Sequence, residues 1–469
     1  MKIISKTLKL LPLFLVVFAF QACSDDDDNN VVVPQQLNIV ETAQATDALS
    51  SLVAAIGAAD GDLGTLLSGN GPFTVLAPTN DAFQALLDSN PAWDTLADID
   101  TAVLEQVLRN HVISADVSAA DLVALSGADG RGYTRTNAAG AGGENVSLLF
   151  DTNGALPRFN NVANVASAAL ADISASNGTV HVIDAVILVP TIVDHVVNND
   201  SFSTLETLLI GENLVPLPGT APHTVFAPTN AAFDAFTNPS NNALPNILAN
   251  HVIEGAAAFS EGLTTSYQTT LAANADGDNL SLYIDTAEGV RLNGVSSVTT
   301  ADIVGTDGVI HAIDAVIDLP TIVTHATANT NFSTLVAALT DLTPTDYVSV
   351  LSSNDADNDA SPFTVFAPID SAFGDLLVDL GLENATEIPT ATLEATLNLH
   401  VLTDLNVRAE DLDALDGASV PTFGGPSITI DAGTPAIIDP DGGSNTIIIT
   451  NVQAINGVVH AINRVIRDL

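Results

Sequence analysis

Apolar positions along the chain follow a few patterns, and the same patterns return in the same order three times. Thr224-Val-Phe-Ala-Pro-Thr-Asn-Ala-Ala-Phe233 opens on a short apolar run of strand type, which Pro228 stops. Thr229 and Asn230 can accept hydrogen bonds from orphan backbone N–H groups, so a helix is predicted there with Phe233 and Phe236 as its apolar positions. The unit reads Thr74-Val-Leu-Ala-Pro-Thr-Asn-Asp-Ala-Phe83 earlier and Thr364-Val-Phe-Ala-Pro-Ile-Asp-Ser-Ala-Phe373 later. A second helical pattern follows each copy. Leu104, Val107, Leu108 and His111 fall at i, i+3, i+4 and i+7, as do Leu244, Ile247, Leu248 and His251, and Leu393, Thr396, Leu397 and His400. This spacing puts each histidine on the buried helix face, or just past its end, where Val112-Ile113, Val252-Ile253 and Val401-Leu402 begin a strand. Each repeat then closes through Asn177-Gly178, Asp307-Gly308 or Asn456-Gly457, dipeptides suited to a primed hairpin turn with both central residues at positive φ. The outgoing strands carry His181, His311 and His460.

The repeats begin with helices that align without gaps: Asn38-Ile-Val-Glu41, Thr191-Ile-Val-Asp194 and Thr321-Ile-Val-Thr324. Units of 153, 130 and 149 residues suit whole domains, since solenoid repeats have periods of about 20–50 residues. Domains are therefore assigned to 37–190, 191–320 and 321–469. Pro190 and Pro320 end the first two closing strands and the next repeat starts at once, so neighbouring domains are expected to hold a fixed angle. The Thr-Val-Phe-Ala-Pro segment and the closing strand resemble the first and second signatures of the fasciclin-like domain family, and both occur in all three copies. The resemblance implies an α+β fold, three tandem domains, each a twisted β-sandwich or wedge with helices packed against it. It also implies an extracellular adhesion and interaction module. Thr74, Phe83, Thr224, Phe233, Thr364 and Phe373 occupy the first motif, and His181, His311 and His460 the second. The family's Tyr-His segment, implicated in integrin-type adhesion in animal members, falls at His111, His251 and His400. Asn110, Asn250 and Leu399 stand where the tyrosine would be, which removes the basis for the animal reading. Backbone-bonded core histidines are expected at all six positions.

Residues 1–22 have the layout of a secretory signal: Lys2, Lys6 and Lys9, then an apolar run from Leu10 to Phe20 that is too short for a stable span. Phe20-Gln-Ala-Cys23 is similar to a bacterial lipoprotein cleavage box, with Phe20 in place of the usual Leu. Cys23 is the only cysteine, so lipid attachment explains it better than a disulfide framework does. Residues 23–36, with four consecutive aspartates, form an acidic tether that will not fold and is similar to surface-export signals of Bacteroidetes-type lipoproteins. The expected location is the outer membrane, lipid-anchored at the cell surface, with a periplasm-facing anchor as the alternative.

The chain is 47% apolar, enough for packed cores in domains of this size. All three lysines lie in the signal, and its removal takes the formal charge from −45 to −48 with eight arginines left. Nucleic acid and anionic lipid are disfavoured as partners, because both require clustered cations. A salty exterior, or divalent-cation binding, accounts for so much like charge.

Asp355, Asp357 and Asp359 alternate as at the start of a calcium loop, but Ala360 and Phe366 stand where that loop needs Gly and Glu. They are a weak metal candidate. Asp276-Gly-Asp278-Asn and Asp439-Pro-Asp441-Gly-Gly read as turns. No Walker loop, Schiff-base lysine, His-Glu-x-x-His or Gly-x-Ser-x-Gly occurs in the mature chain, and neither catalytic residues nor a cofactor are expected. The function expected is non-enzymatic adhesion or interaction, with a protein or polysaccharide on a cell surface or matrix as partner and membrane contact through the lipid alone. The alternatives are an acidic envelope protein binding calcium or a soluble ligand, and a structural spacer for an envelope complex.

Overall fold

The computed structural model describes residues 35–353 and 361–468. The signal, Cys23 and the Asp355, Asp357 and Asp359 cluster lie outside the described residues. Leu37–Leu469 cluster as one contact unit.

Each repeat is built on a central strand: Phe73–Pro78, His223–Pro228 or Phe363–Pro368. One edge pairs antiparallel with the two-residue strand after the histidine helix, Val112–Ile113, Val252–Ile253 or Val401–Leu402. The other edge pairs parallel with the closing strand, Gly178–Ile183, Gly308–Ile313 or Gly457–Ile462. Register is the same in all three copies: Val75 faces Val180, Val225 faces Ile310 and Val365 faces Val459. A parallel pair needs a long connection, and here it is the body of the domain.

Alternate residues of the central strand feed two cores. Val75 and Ala77 pack with Phe83, Leu104, Leu108, Val180 and Val182 on the helix side, while Leu76 packs with Phe150, Phe159 and Ile183 on the far side. Burial on both faces explains the continuous apolar run in the sequence. Phe226 and Phe366, both 0% exposed, take the place of Leu76, each contributing roughly 1.5–3 kcal/mol of burial. In the second and third repeats the long strands Ser296–Val304 and Ser444–Ala454 join all pairs into seven-stranded sheets. In the first repeat that strand is interrupted by a turn at Ala168–Leu170, leaving two four-stranded sheets. The architecture is α+β, three domains in tandem.

The closing turn differs from the primed turn expected. Asn177, Asp307 and Asn456 are not at positive φ. Ala175 pairs with Gly178 and Ala454 with Gly457, so the glycine is already the first residue of the closing strand. Glycine is required there by contact with the central strand. A Cβ would lie 1.8 Å from the Phe73 carbonyl oxygen at Gly178, 2.3 Å from that of His223 at Gly308, and 2.1 Å from that of Phe363 at Gly457.

The preceding residue turns its side chain inward. Asn177 Oδ1 accepts from the Ile39 N–H (2.9 Å), at the start of the helix Ile39–Gln44, and Nδ2 donates to the Leu67 and Gly69 carbonyls (2.8 and 2.7 Å). Asn456 repeats this with Ile322, Leu351 and Ser353. Asp307 has no donor and makes only the bond from Ile192 (2.8 Å). The last hairpin of each repeat thus caps its first helix.

Helix starts also divide their work differently from expectation. Thr79 and Thr229 cap their own helices, accepting from Ala82 and Ala232. Asn80 and Asn230 turn away and accept from Ser51 and Thr204 at the start of the neighbouring helix; Asp370 does the same for Thr334. Two apolar assignments in the second repeat are corrected. Its helix is only Asn230–Ala235, so Phe236 is an extended cap and Phe233 is partly buried, unlike Phe83 and Phe373 at 1% exposure. Leu244 is 38% exposed because it begins a helix shortened to Leu244–Ala249.

Asn177→Ala should destabilise the chain by about 2–4 kcal/mol in urea unfolding, since it leaves one buried donor and two acceptors without their partner. Asn177→Asp, which keeps the acceptor as Asp307 does, should cost less. A loss below about 1 kcal/mol for the alanine variant would remove this side chain from the account.

Candidate functional site

The recurring polar residues are built into the backbone. Thr74 Oγ1 donates to the Ala115 carbonyl (2.7 Å) and accepts from the Val117 N–H (2.8 Å). Thr224 clamps Ala256 and Ala258, and Thr364 clamps Leu405 and Val407, in the same manner. The closing-strand histidine holds the same loop from the other side: Nε2–H of His181, His311 and His460 donates to Val117, Ala258 and Val407 carbonyls at 3.0, 2.9 and 2.8 Å. Nδ1 of His181 and His311 accepts from the Asp172 and Asp302 N–H groups, whereas His460 Nδ1 has no partner among the described residues.

His111, His251 and His400 sit just past the ends of their helices and take the opposite tautomer. Nδ1–H donates to the carbonyl four residues back, Val107, Ile247 or Thr396, at 2.7–2.8 Å. Nε2 accepts from Ile187, Ile317 or Ile466, just after the closing strand, at 2.9–3.0 Å. Asn110 and Asn250 bind the same segment, donating to the carbonyls of Ile187 and Leu188 and of Ile317 and Asp318. Leu399 fills that place in the third repeat, 1% exposed. With both ring nitrogens bonded to backbone, these imidazoles have no lone pair left for a metal or a substrate proton. Asn110 and His111, at 0% and 1% exposure, offer nothing to an external partner.

Sequence reasoning passed over His195 and His325. They lie in the first helices of the second and third repeats, buried, with Nε2–H donating to the Val304 and Gln453 carbonyls. Their spacing on the Ile192–Asn198 and Ile322–Ala328 helices, three after the buried isoleucine, was the available signal. Burial pushes His111, His195, His251, His325 and His400 down to about 4, with one backbone hydrogen bond each acting weakly in the other direction. Among the described residues no three His, Cys, Asp or Glu side chains converge to hold a metal ion. No described helix is long and apolar enough to cross a membrane.

His195 and His325 belong to the repeat junctions, which are made by equivalent residues. Tyr133 accepts from Asn199 Nδ2 (2.9 Å) and meets His195 edge-on, with ring centroids 5.7 Å apart. Tyr267 accepts from Asn329 Nδ2 (3.2 Å) and meets His325 edge-on at 5.6 Å. Ser147 Oγ accepts from the Val304 N–H and Ser281 Oγ from the Gln453 N–H, both at 2.9 Å. The arginine contacts run in opposite directions. Arg131 reaches forward to Asp200 (2.6 Å) and Arg135 to the Asp302 carbonyl (2.7 Å), but Arg408 of the third repeat reaches back to Asp278 (2.5 Å). Three of the eight arginines are therefore spent at junctions. At the outer ends the set is broken: Thr42 and Thr46 stand where the His–Asn pair would be, and exposed Ser419 where the tyrosine would be.

Three α+β domains in series, with neighbours interlocked, define a tandem-domain protein whose recurring polar side chains serve its architecture. The Fasciclin domain family matches residues 47–190, 200–320 and 330–468, and the chain belongs to that family. It is 33% identical over 166 residues to the transforming growth factor-beta-induced protein ig-h3 of Sus scrofa, covering 32% of this chain and 23% of that protein. Human periostin is 26% identical over 265 residues, covering 55% of this chain and 29% of periostin. The chain thus spans less than a third of the length of either relative. Protein sll1483 of Synechocystis is 38% identical over 154 residues, covering 33% of this chain and 74% of that protein. Among solved structures, a FAS1 domain pair from the insect cell adhesion molecule fasciclin I aligns with 58% of this chain and 96% of its own, at 19% identity and a TM-score of 0.36.

The buried histidines set a pH dependence. Between their unfolded value of about 6.5 and the folded value of about 4, the unfolded chain binds protons that the folded chain cannot. Stability is therefore fully present above about pH 6.5 and falls as the pH drops towards 4, by up to about 1.4 kcal/mol per unit for each such histidine. Melting temperature should decline steadily from pH 7 to pH 4.5, where most carboxylates are still ionised, and His400→Gln should flatten the slope. A flat profile above pH 4.5 would contradict neutral burial.

Proposed function

We propose that the chain is a non-enzymatic adhesion and interaction protein, held at the outer membrane by a lipid on Cys23 and presenting three fasciclin domains to the exterior. Its partner is a protein or polysaccharide on another cell or a matrix. The observation that carries this reading is the internal use of every recurring motif side chain: Thr74, His111, His181 and their counterparts hold loops and strands together. Recognition then falls to exposed loops, strand edges and junction surfaces. The buried Asn110–His111 segment makes the animal-type adhesion motif an unsuitable contact, so a different surface carries the role. Three copies on one tether supply avidity where the ligand itself repeats, without any single tight site. A formal charge of −48 on the mature chain favours partners that are neutral or basic.

Protease shaving of intact cells tests the location, and adhesion of the shaved cells tests the role. The protein should be removed by external protease together with cell–surface adhesion, and Cys23→Ser should release it from the membrane fraction. A protein that survives shaving, or adhesion unchanged after its complete removal, would overturn the proposal.

A further inference from the structure

Junction two is open at the place where junction one is filled. In the first junction Arg135 bridges the domains, donating to the Asn145 carbonyl (2.8 Å) and the Asp302 carbonyl (2.7 Å). Arg135 pairs across its hairpin with Ser147, and the residue that pairs with Ser281 in the second repeat is Thr269, too short to make that bridge. Asn279 and Asn451, the counterparts of Asn145 and Asp302, line a cleft of about 420 Å³ together with Tyr267, Gln268, Thr269 and Thr450.

We infer that this cleft is a binding site for a neutral saccharide. The one cation of its lining is already paired: Arg408, on one wall, is held by Asp278 (2.5 Å) and Glu410 (3.0 Å). What remains is uncharged hydrogen-bonding capacity. The Thr269 and Thr450 hydroxyls make no protein hydrogen bond among the described residues, and Asn279 and Gln268 use only their NH2 groups, on the Thr270 carbonyl and Ser266 Oγ. Hydroxyls and amide oxygens around a partly buried tyrosine ring match a ligand that is hydroxyl-rich at its edges and apolar on its faces, which describes a sugar ring. The volume lies within the usual range for small-ligand sites, about 300–1,000 Å³. A polyanionic glycan would meet the repulsion of a mature chain carrying a formal charge of −48, which favours an uncharged glycan over an anionic one. The cleft deepens the adhesion reading by naming a ligand class, and rests on that reading only for its biological setting.

Titration calorimetry on the mature chain tests the site directly, with short neutral glucan, mannan, xylan and galactan oligosaccharides as probes and alginate as the anionic comparator. At least one neutral probe should bind while alginate does not. Thr269→Arg, which refills the cleft with the side chain that junction one uses, should weaken binding at least tenfold without lowering the melting temperature. Thr207→Arg, an equal charge change at an exposed helical position in the second repeat, should leave binding unchanged. No heat from any neutral probe, equal binding of alginate, or undiminished binding by Thr269→Arg would overturn the site. An adhesion assay on the same variants separates the two readings. Saccharide binding lost in Thr269→Arg with adhesion intact would leave the site standing and place adhesion on another surface. Saccharide binding by the purified chain with normal adhesion of cells lacking it would sink the adhesion reading alone.

Discussion

Everything in the structure depends on how closely the last strand of each domain approaches its central strand. The two run parallel from the first residue, and the approach leaves no room for a Cβ at Gly178, Gly308 or Gly457. The residue before each glycine extends the contact at both ends. Its carbonyl accepts from the first N–H of the central strand, Phe73, His223 or Phe363, and its side chain caps the first helix of the domain. One dipeptide therefore joins the beginning, the middle and the end of some 130–153 residues. Contacts so distant in sequence repay their loop-closure cost only when all form together, which makes each domain a single cooperative object.

The same constraint decides what the histidines and threonines are for. A strand inserted at the centre of a mixed sheet leaves irregular loops buried on both sides of it, and their backbone groups need partners. Thr74 and His181 satisfy the loop at 115–117, while His111 and Asn110 satisfy the segment at 187–188. These side chains are polar because the backbone around them is buried. At His111 the same burial keeps the imidazole neutral. A module stabilised in this way keeps reactive groups inside and varies its outside freely, as the Arg135-to-Thr269 difference between the junctions illustrates.

Much of this was legible beforehand. The recurrence of Thr224-to-Phe233 and of the closing strands marked three domains and their elements, because apolar periodicity reports burial directly, and the α+β class followed from the resemblance to the fasciclin-like family. The Asn-Gly pair was misread as a primed turn. Local rules see only φ preferences, and the demand for glycine came instead from a strand about 100 residues away in sequence, whose position no local signal encodes. Phe236 and Leu244 failed for a related reason: the second domain is shorter, and its trimmed helices end before the expected face is complete. The junction residues were invisible. Tyr133, Tyr267, His195 and His325 look like ordinary core or surface positions until two domains are placed side by side.

Native-state hydrogen exchange followed amide by amide tests the central claim most directly. The amides of Phe73, His223 and Phe363 and those of the three closing strands should exchange last, and only through unfolding of the whole domain, after the helices have opened locally. Exchange of these amides ahead of the helices would show that the domains are held together elsewhere.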